Sequence, residues 1–334
     1  MAGEPPSATR DITRTSLSRL KRTGVAGASF RRQTTSLMAA QGRACCARSD
    51  QSGRPAGVLL PVPGAVMSGL PRAADRQHHE VMVDLDSEYF SRWYAEMGDV
   101  PDKDRLWTRL LGLPPHVLST SLLTGSGLDE VARILTLGPD DVLLDLACGR
   151  AGYGLELIAR TGARLVGVDF APAAIEQARA NAERLGLADR ADLRVGDMGT
   201  TGLAEESVTA VLCLDAANFP DDPRSIFAEA HRVLAPGGCA VFTGWEARDR
   251  DDPSVSERRR RVDFGGWLMG AGFTDVEVTA REDWLAAERA AWQAVLALPP
   301  SDDPALRSLQ DEAREVLEDH DVPRRVLAVG QRRP

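Results

Sequence analysis

Four aspartates stand where apolar runs end: Asp145 after Val142–Leu144, Asp169 after Leu165–Val168, Asp197 two residues past Val195, and Asp215 after Val211–Leu214. If those runs are parallel strands, the acids gather at one edge, because ligands of such sheets sit at the carboxyl ends of the strands. Asp169 follows Asp145 by 24 residues, where a carboxylate can accept both hydroxyls of a ribose. Asp197, after Gly196, can accept from the exocyclic amine of adenine, with Phe170 and Met198 as apolar walls; a turn or a helix N-cap uses the same residue type. Between Asp145 and the helical pattern starting at Leu155 lie Ala147, Gly149, Ala151, Gly152 and Gly154. Small residues let backbone approach a ligand, and the following helix presents free N–H groups. An ordinary strand-to-helix turn has the same steric needs. A pyrophosphate wants G-x-G-x-x-G, and Asp145 in front of the turn repels it while suiting an amino-bearing ligand.

The elements that position these residues read clearly. Strands are expected at Val142–Leu144, Arg164–Asp169, Ala191–Val195, Thr209–Leu214, Cys239–Gly244, 272–278 and Arg325–Gly330. Helices are expected from Leu155 to Ala163, Pro172 to Leu185, Pro223 to Leu234, Arg258 to Ala271, Trp284 to Leu298 and Pro304 to Asp319. This alternation implies an α/β fold with a parallel sheet and helices on both faces. Ahead of it, Asp86–Met97 carries Tyr89, Phe90, Trp93 and Tyr94 on one helical face, a stripe that serves packing or a ligand. Asp104–Leu113 and His116–Leu123 read as short helices divided by Pro114 and Pro115, and Leu128–Leu137 as a helix stopped by Gly138.

Residues 1–76 differ in texture. They hold eleven Arg, Lys21 and four acids, 12 − 4 = +8, so with a whole-chain charge of −9 the remainder carries −9 − 8 = −17. Without periodicity, this segment reads as a disordered extension, a start placed too far upstream (Met38, Met67 and Met82 are alternatives) or a transit peptide. The acidic remainder is a poor match for nucleic acid. No stretch reaches the roughly 18 to 20 apolar residues of a membrane span. The five Cys and five His lack metal-ligand spacing, and the thiols suit a reducing, cytoplasmic setting. Arginine does nearly all the cationic work, since Lys21 and Lys103 are the only lysines, a bias attributable to codon usage.

Taken together, DLACGRAG, GVDFAP, GDM, LCLDAANF and RVLAPGG, in this order and spacing, resemble the successive motifs of class I S-adenosylmethionine-dependent methyltransferases over roughly Leu128 to Val278. The small-molecule branch of natural-product and quinone pathways is the nearest in pattern. The resemblance implies a Rossmann-like seven-stranded sheet, mostly parallel with an antiparallel last strand. It implies a helical cap over 77–127 and a methyltransferase domain over 128–334 with a helical insertion at about 283–320. Asp145, Gly149 and Gly152 are then expected at the methionine end of the cofactor, with Ala147 a further cofactor contact in the same turn, Asp169 at the ribose, Asp197 and Met198 at the adenine with Phe170 as a second wall, and Asp215 facing the methionine. Ala147 and Ala151 stand where the pattern has glycines, each adding only a methyl group.

The implied chemistry is in-line displacement at a sulfonium methyl group, which needs proximity and alignment above all. A base is required only if the acceptor must lose a proton. Glu246 is the first candidate, with a surface carboxylate or cap as its alternative. Asn218 stands where several relatives have a histidine, and His116 and His320 are outside candidates; His231 reads as structural. Tyr89, Tyr94, Trp245, Trp284 and Trp292 are expected to wall a small apolar or aromatic acceptor. No metal, nucleic-acid or membrane partner is expected, and the chain is compatible with a homodimer. The rival readings are a nucleic-acid methyltransferase, which lacks its NPPY-like or Pro-Cys signatures here, a protein that binds the cofactor without catalysis, and a polyamine synthase.

Overall fold

The computed structural model describes residues 87–97, 101–220, 222–318 and 322–334, all within the unit Leu59–Pro334. The expectations for 1–76 and for His320 fall outside these residues. In chain order the elements are α1 (Ser87–Met97), α2 (Pro101–Leu110), α3 (Gly125–Leu135), β1 (Val142–Leu146), α4 (Gly152–Thr161), β2 (Arg164–Asp169), α5 (Pro172–Arg184), β3 (Ala191–Val195) and β4 (Val208–Leu214). There follow α6 (Arg224–Val233), β5 (Leu234–Ala247), α7 (Glu257–Arg260), α8 (Phe264–Ala271), β6 (Thr274–Ala280), α9 (Glu282–Leu296), α10 (Pro304–Glu318) and β7 (Pro323–Gln331).

The sheet order is β3-β2-β1-β4-β5-β7-β6. The first five strands run parallel, and β7 is antiparallel to both β5 and β6, as the resemblance implies. Successive side chains of a strand point to opposite faces, and here both faces are covered. Leu143, Leu212, Val241 and Leu327 face one core with α3, α4 and α5. Leu144, Val211, Phe242 and Ala328 face the other, with Phe227 of α6 and Phe264 of α8. This explains why the strands read as continuous apolar runs.

Three local expectations need correction. Residues 116–123 form no helix; Ser119 and Ser121 turn their hydroxyls onto local backbone, Ser119 Oγ donating to Ser121 O at 2.6 Å, and so compete with helical hydrogen bonding. Helix α3 starts at Gly125, capped by the Thr124 hydroxyl, and ends on left-handed Thr136 two residues before Gly138. Residues 235–238, which fall between the expected helix to Leu234 and the expected strand from Cys239, lie inside β5, where the pairing jumps from Val208↔Leu234 to Ala210↔Cys239 and Gly237 takes φ 80°.

A smaller core packs over the carboxyl edge of the sheet. It joins Leu106 of α2, Leu122, Trp292 and Val295 of α9, and Leu309 and Ala313 of α10. The late helical pair thus joins the early α2 above the strand ends.

Candidate active site at the carboxyl ends of the strands

The turn after β1 is shaped by backbone. Ala147, Gly149 and Ala151 all take positive φ, at 54°, 54° and 55°. For the two alanines that conformation costs about 1 kcal/mol each, so the departure from glycine is more than an extra methyl group. At Gly149 a Cβ would lie 2.6 Å from Thr120 Oγ1 and 2.7 Å from the Tyr94 hydroxyl, and at Gly152 one would lie 2.5 Å from Leu118 O. The 118–120 loop is therefore pressed onto the turn. Arg150, buried in its middle, donates to both carboxylate oxygens of Asp104 at 2.8 Å and to Ser119 O at 3.2 Å, which fixes the turn to α2.

The four strand-end acids separate into different roles. Asp169 accepts from Gly149 N at 2.8 Å and Ala171 N at 2.9 Å, one donor on each oxygen. Burial raises its carboxyl pKa against the pull of these two N–H groups, and each oxygen keeps a lone pair for a ligand. Asp197 is exposed, folds onto its own turn by accepting from Gly199 N at 2.8 Å, and lines the same cavity as Asp169, Phe170, Gly196 and Met198.

Asp145 sits elsewhere. It shares the β1 face of Leu143, so it points under α4, where a Cβ on Gly154 would touch its Oδ2 at 2.6 Å. It does not line the cavity. Burial first, then the charge of Asp169, pushes it up to about 8 despite a hydrogen bond from Gly154 N. Near neutrality it is therefore largely protonated and offers no seat of fixed charge to an ammonium group.

Asp215 reaches the cavity wall with its oxygens already engaged. Ser121 Oγ donates at 2.6 Å, Leu122 N at 3.0 Å, Thr243 Oγ1 at 2.6 Å and Arg325 Nη2 at 2.6 Å. Burial opposes its charge, but Arg325 and the two hydroxyls hold it below the usual carboxylate range. Arg325, fully buried, also lies 4.1 Å over the Trp245 ring, and its Nε is 3.9 Å from Glu288. Glu288 accepts from Trp245 Nε1 at 3.1 Å, and burial pushes it up to about 7.

One cavity of about 360 Å³ runs from these strand ends, past Ala147, Asp169, Leu214 and Ala216, to walls supplied by Trp93, Lys103, Trp107, Trp292, Leu309 and Glu312. Of the expected wall residues it includes Tyr94 and Trp292. Tyr89 packs edge-on against Phe90 outside the lining, Trp245 stacks on Arg325, and Trp284 is buried in the main core. None of the candidate catalytic residues Glu246, Asn218 and His116 lines the cavity. Glu246, 1% exposed, accepts from Phe264 N at 2.9 Å and Arg324 at 2.6 Å, and so clamps β5 to α8 and β7. Asn218 turns its Oδ1 inward toward Gly244. His116 is hydrogen-bonded to Glu156 at 2.6 Å on a half-exposed flank.

Sequence reasoning missed Lys103, Trp107 and Arg325. The signals were present: a rare lysine in an arginine-rich chain, and an arginine heading the apolar run of β7. Among the described residues no group of three or more His, Cys, Asp or Glu could hold a metal ion, and no helix is long and apolar enough to cross a membrane.

A sheet of this order, with Asp169 and Asp197 at its carboxyl edge, defines a Rossmann-like α/β fold. Residues 144–242 match the family model described as a methyltransferase domain. A sterol 24-C-methyltransferase of Aspergillus fumigatus is 31% identical over 126 residues, 37% of this chain and 33% of that protein. An arsenite methyltransferase of Halobacterium salinarum is 31% identical over 173 residues, 48% of this chain and 44% of that protein. The chain thus spans less than half the length of either relative. Among solved structures, the [4+2]-cyclase SpnF superimposes with a TM-score of 0.56 at 18% identity, covering 74% of this chain and 97% of that one. A phosphoethanolamine N-methyltransferase of Haemonchus contortus gives 0.57 at 17% identity, covering 73% and 60%. These two likenesses concern the fold.

Proposed function

We propose that this protein transfers a methyl group from S-adenosylmethionine to a small acceptor bound at the aromatic end of the cavity. The observation that carries this reading is the continuity of that cavity, from Asp169, Asp197 and Met198 at the strand ends to Trp93, Trp107 and Trp292 under the helices. Its volume lies in the ordinary range of small-molecule sites. The residues at the strand ends fit the cofactor: Asp169 keeps lone pairs for ribose hydroxyls, Phe170 and Met198 wall the adenine position, and the backbone around Ala147 and Gly149 approaches closely. When bound, the cofactor supplies an electrophilic methyl group on a sulfonium.

The protein's share is alignment and exclusion of water. Tyr94, whose hydroxyl is hydrogen-bonded to Thr120 and whose pKa is raised by burial, closes the cavity above the turn. Asp215, held ionised by Arg325, fixes the wall between the two ends. The charge of −17 on residues 77–334 and the apolar lining disfavour a nucleic-acid acceptor. Buried thiols at Cys148, Cys213 and Cys239 support a reducing, cytoplasmic setting. Residues 1–76 are read as an extension outside the catalytic unit.

Calorimetry with S-adenosylmethionine and S-adenosylhomocysteine, then mass spectrometry on an acceptor panel, tests the reading. Binding of both, with a gain of 14 mass units on a small molecule, is the expected result. Failure to bind either ligand overturns it, and binding without methyl transfer leaves a non-catalytic cofactor-binding protein.

A further inference from the structure

The cavity holds one side chain that the methyl-transfer reading has not used. Lys103 of α2 lines its helical end, with Nζ 5.5 Å from the centroid of the Trp93 ring. Of the 40 cationic side chains only Lys21 and Lys103 are lysines, leaving 40 − 2 = 38 arginines. The two residue types are interchangeable as surface charges and differ in one respect that matters in a cavity. A guanidinium stays protonated in proteins, whereas an amine can lose its proton when buried.

The surroundings of Lys103 favour that loss. Burial lowers its pKa most, and Arg150 adds to the effect, while Asp104, Glu312 and Asp303 oppose it, bringing the ammonium to about 8. Asp104 is weakened as an opponent because both of its oxygens are held by Arg150. These are the charged groups that face Lys103: Arg150 from the turn after β1, Asp104 from α2, Asp303 just before α10 and Glu312 within it.

Resting on the methyl-transfer reading, we infer that Lys103 accepts the acceptor's proton, and that the acceptor is an O–H or N–H nucleophile. In the step, the acceptor's O–H or N–H bond breaks and its proton goes to the neutral Nζ. The freed electron pair forms the new bond to the methyl carbon, and the carbon–sulfur bond breaks with its pair left on sulfur. The positive charge of the sulfonium disappears as an ammonium appears at Lys103. The net charge of a cavity walled by Trp93, Trp107 and Trp292 is unchanged. Moving a charge within such a site avoids the large penalty of creating an unpaired one there. Two carboxylates considered as bases are held by donors: Glu246 by Arg324 and Phe264 N, and Asp215 by four.

The test uses the full chain and does not require the acceptor. Pulsed acetylation read by mass spectrometry, with a free lysine peptide as internal reference, gives the ionisation midpoint of Lys103. A midpoint about two units below the reference is expected. S-adenosylmethionine should lower it further than S-adenosylhomocysteine does, because only the former adds a cation to the cavity. If both ligands bind and the Lys103 midpoint is the same with each, the inference fails while the methyl-transfer reading stands. If neither binds, that reading fails first. Turnover on a panel of phenols and aromatic amines completes the test. Lys103→Arg should keep S-adenosylhomocysteine affinity within about twofold, lose about 10²- to 10⁴-fold in kcat, and lose the rising limb of the pH profile near 8. A K103R enzyme with wild-type kcat and profile, or one changed only in KM, overturns the proton-acceptor role.

Discussion

At the strand ends the cavity is made largely by backbone: N–H groups of Gly149 and Ala171 hold Asp169, and left-handed residues at 147, 149 and 151 bend the chain away. At its helical end it is made by side chains from α1, α2, α9 and α10, which are remote in sequence: Trp93, Lys103, Trp107, Trp292 and Leu309. Backbone sites tolerate few substitutions and leave short motifs. Side-chain sites are free to vary with the ligand and leave scattered residues without a pattern. The contrast explains how one fold can hold a common cofactor against different acceptors.

The same contrast appears between two buried aspartates. Asp215 keeps its charge through Arg325, and Asp145 gives its charge up to burial. Replacing Arg325 by Met should be the severest single change, at about 3–5 kcal/mol, because it leaves Asp215 ionised and unpaired. Chemical denaturation would measure it, and the added change Asp215→Asn should recover part of the loss. If R325M is as stable as the parent, the ion pair is not what maintains this wall.

Asp145→Asn should do the opposite. A raised native pKa means the folded chain binds a proton that the unfolded chain has released, so stability falls as pH rises from about 4 to about 8. The variant lacks this penalty. It should gain on the parent progressively across that window, by a few kcal/mol at pH 8 and little at pH 4. Parallel melting curves over pH that coincide would restore a charged Asp145, and with it the ammonium seat that sequence reasoning assigned.

Asp169→Ala should weaken S-adenosylhomocysteine binding by about 10- to 100-fold, the cost of losing hydrogen bonds to a charged group. Calorimetry would show it. An equal loss on changing Asp197 would mean that both acids hold the ligand; a smaller one would fit its exposed turn. The smallest expected effect is at Ala151, where glycine should relieve the left-handed backbone and raise stability by about 0.5–1 kcal/mol. Melting below the parent would show that the methyl group packs usefully.

The fold was legible because both sheet faces are buried, so each strand reads as an apolar run and each crossover as a helix. That Asp169, Phe170, Asp197 and Met198 line one cavity could be read from the sequence for a related reason, since a strand end fixes where the next residues point. Asp145 was misplaced because its orientation depends on alternation along β1, which puts it on the face of Leu143 rather than at the cavity. His116–Leu123 was misread because serine hydroxyls took backbone partners that a helix needs. Lys103 and Arg325 could not be placed from local pattern, since each acts through neighbours far along the chain. Their residue types were the only trace: a lysine among arginines and a cation heading an apolar strand.

Strand β7 lies between β5 and β6, and β6 is bonded to β7 alone. The chain makes β6 first and so cannot attach it to the sheet until β7 has slotted into the gap. That insertion also delivers Arg325 to Asp215 across 110 residues. Contacts of such separation are slow to form, because loop closure must precede any gain from pairing. The wall of the cavity and the closing of the sheet therefore depend on one and the same strand. Without β7, strand β6 would have no hydrogen-bonded neighbour and Asp215 would lose its arginine.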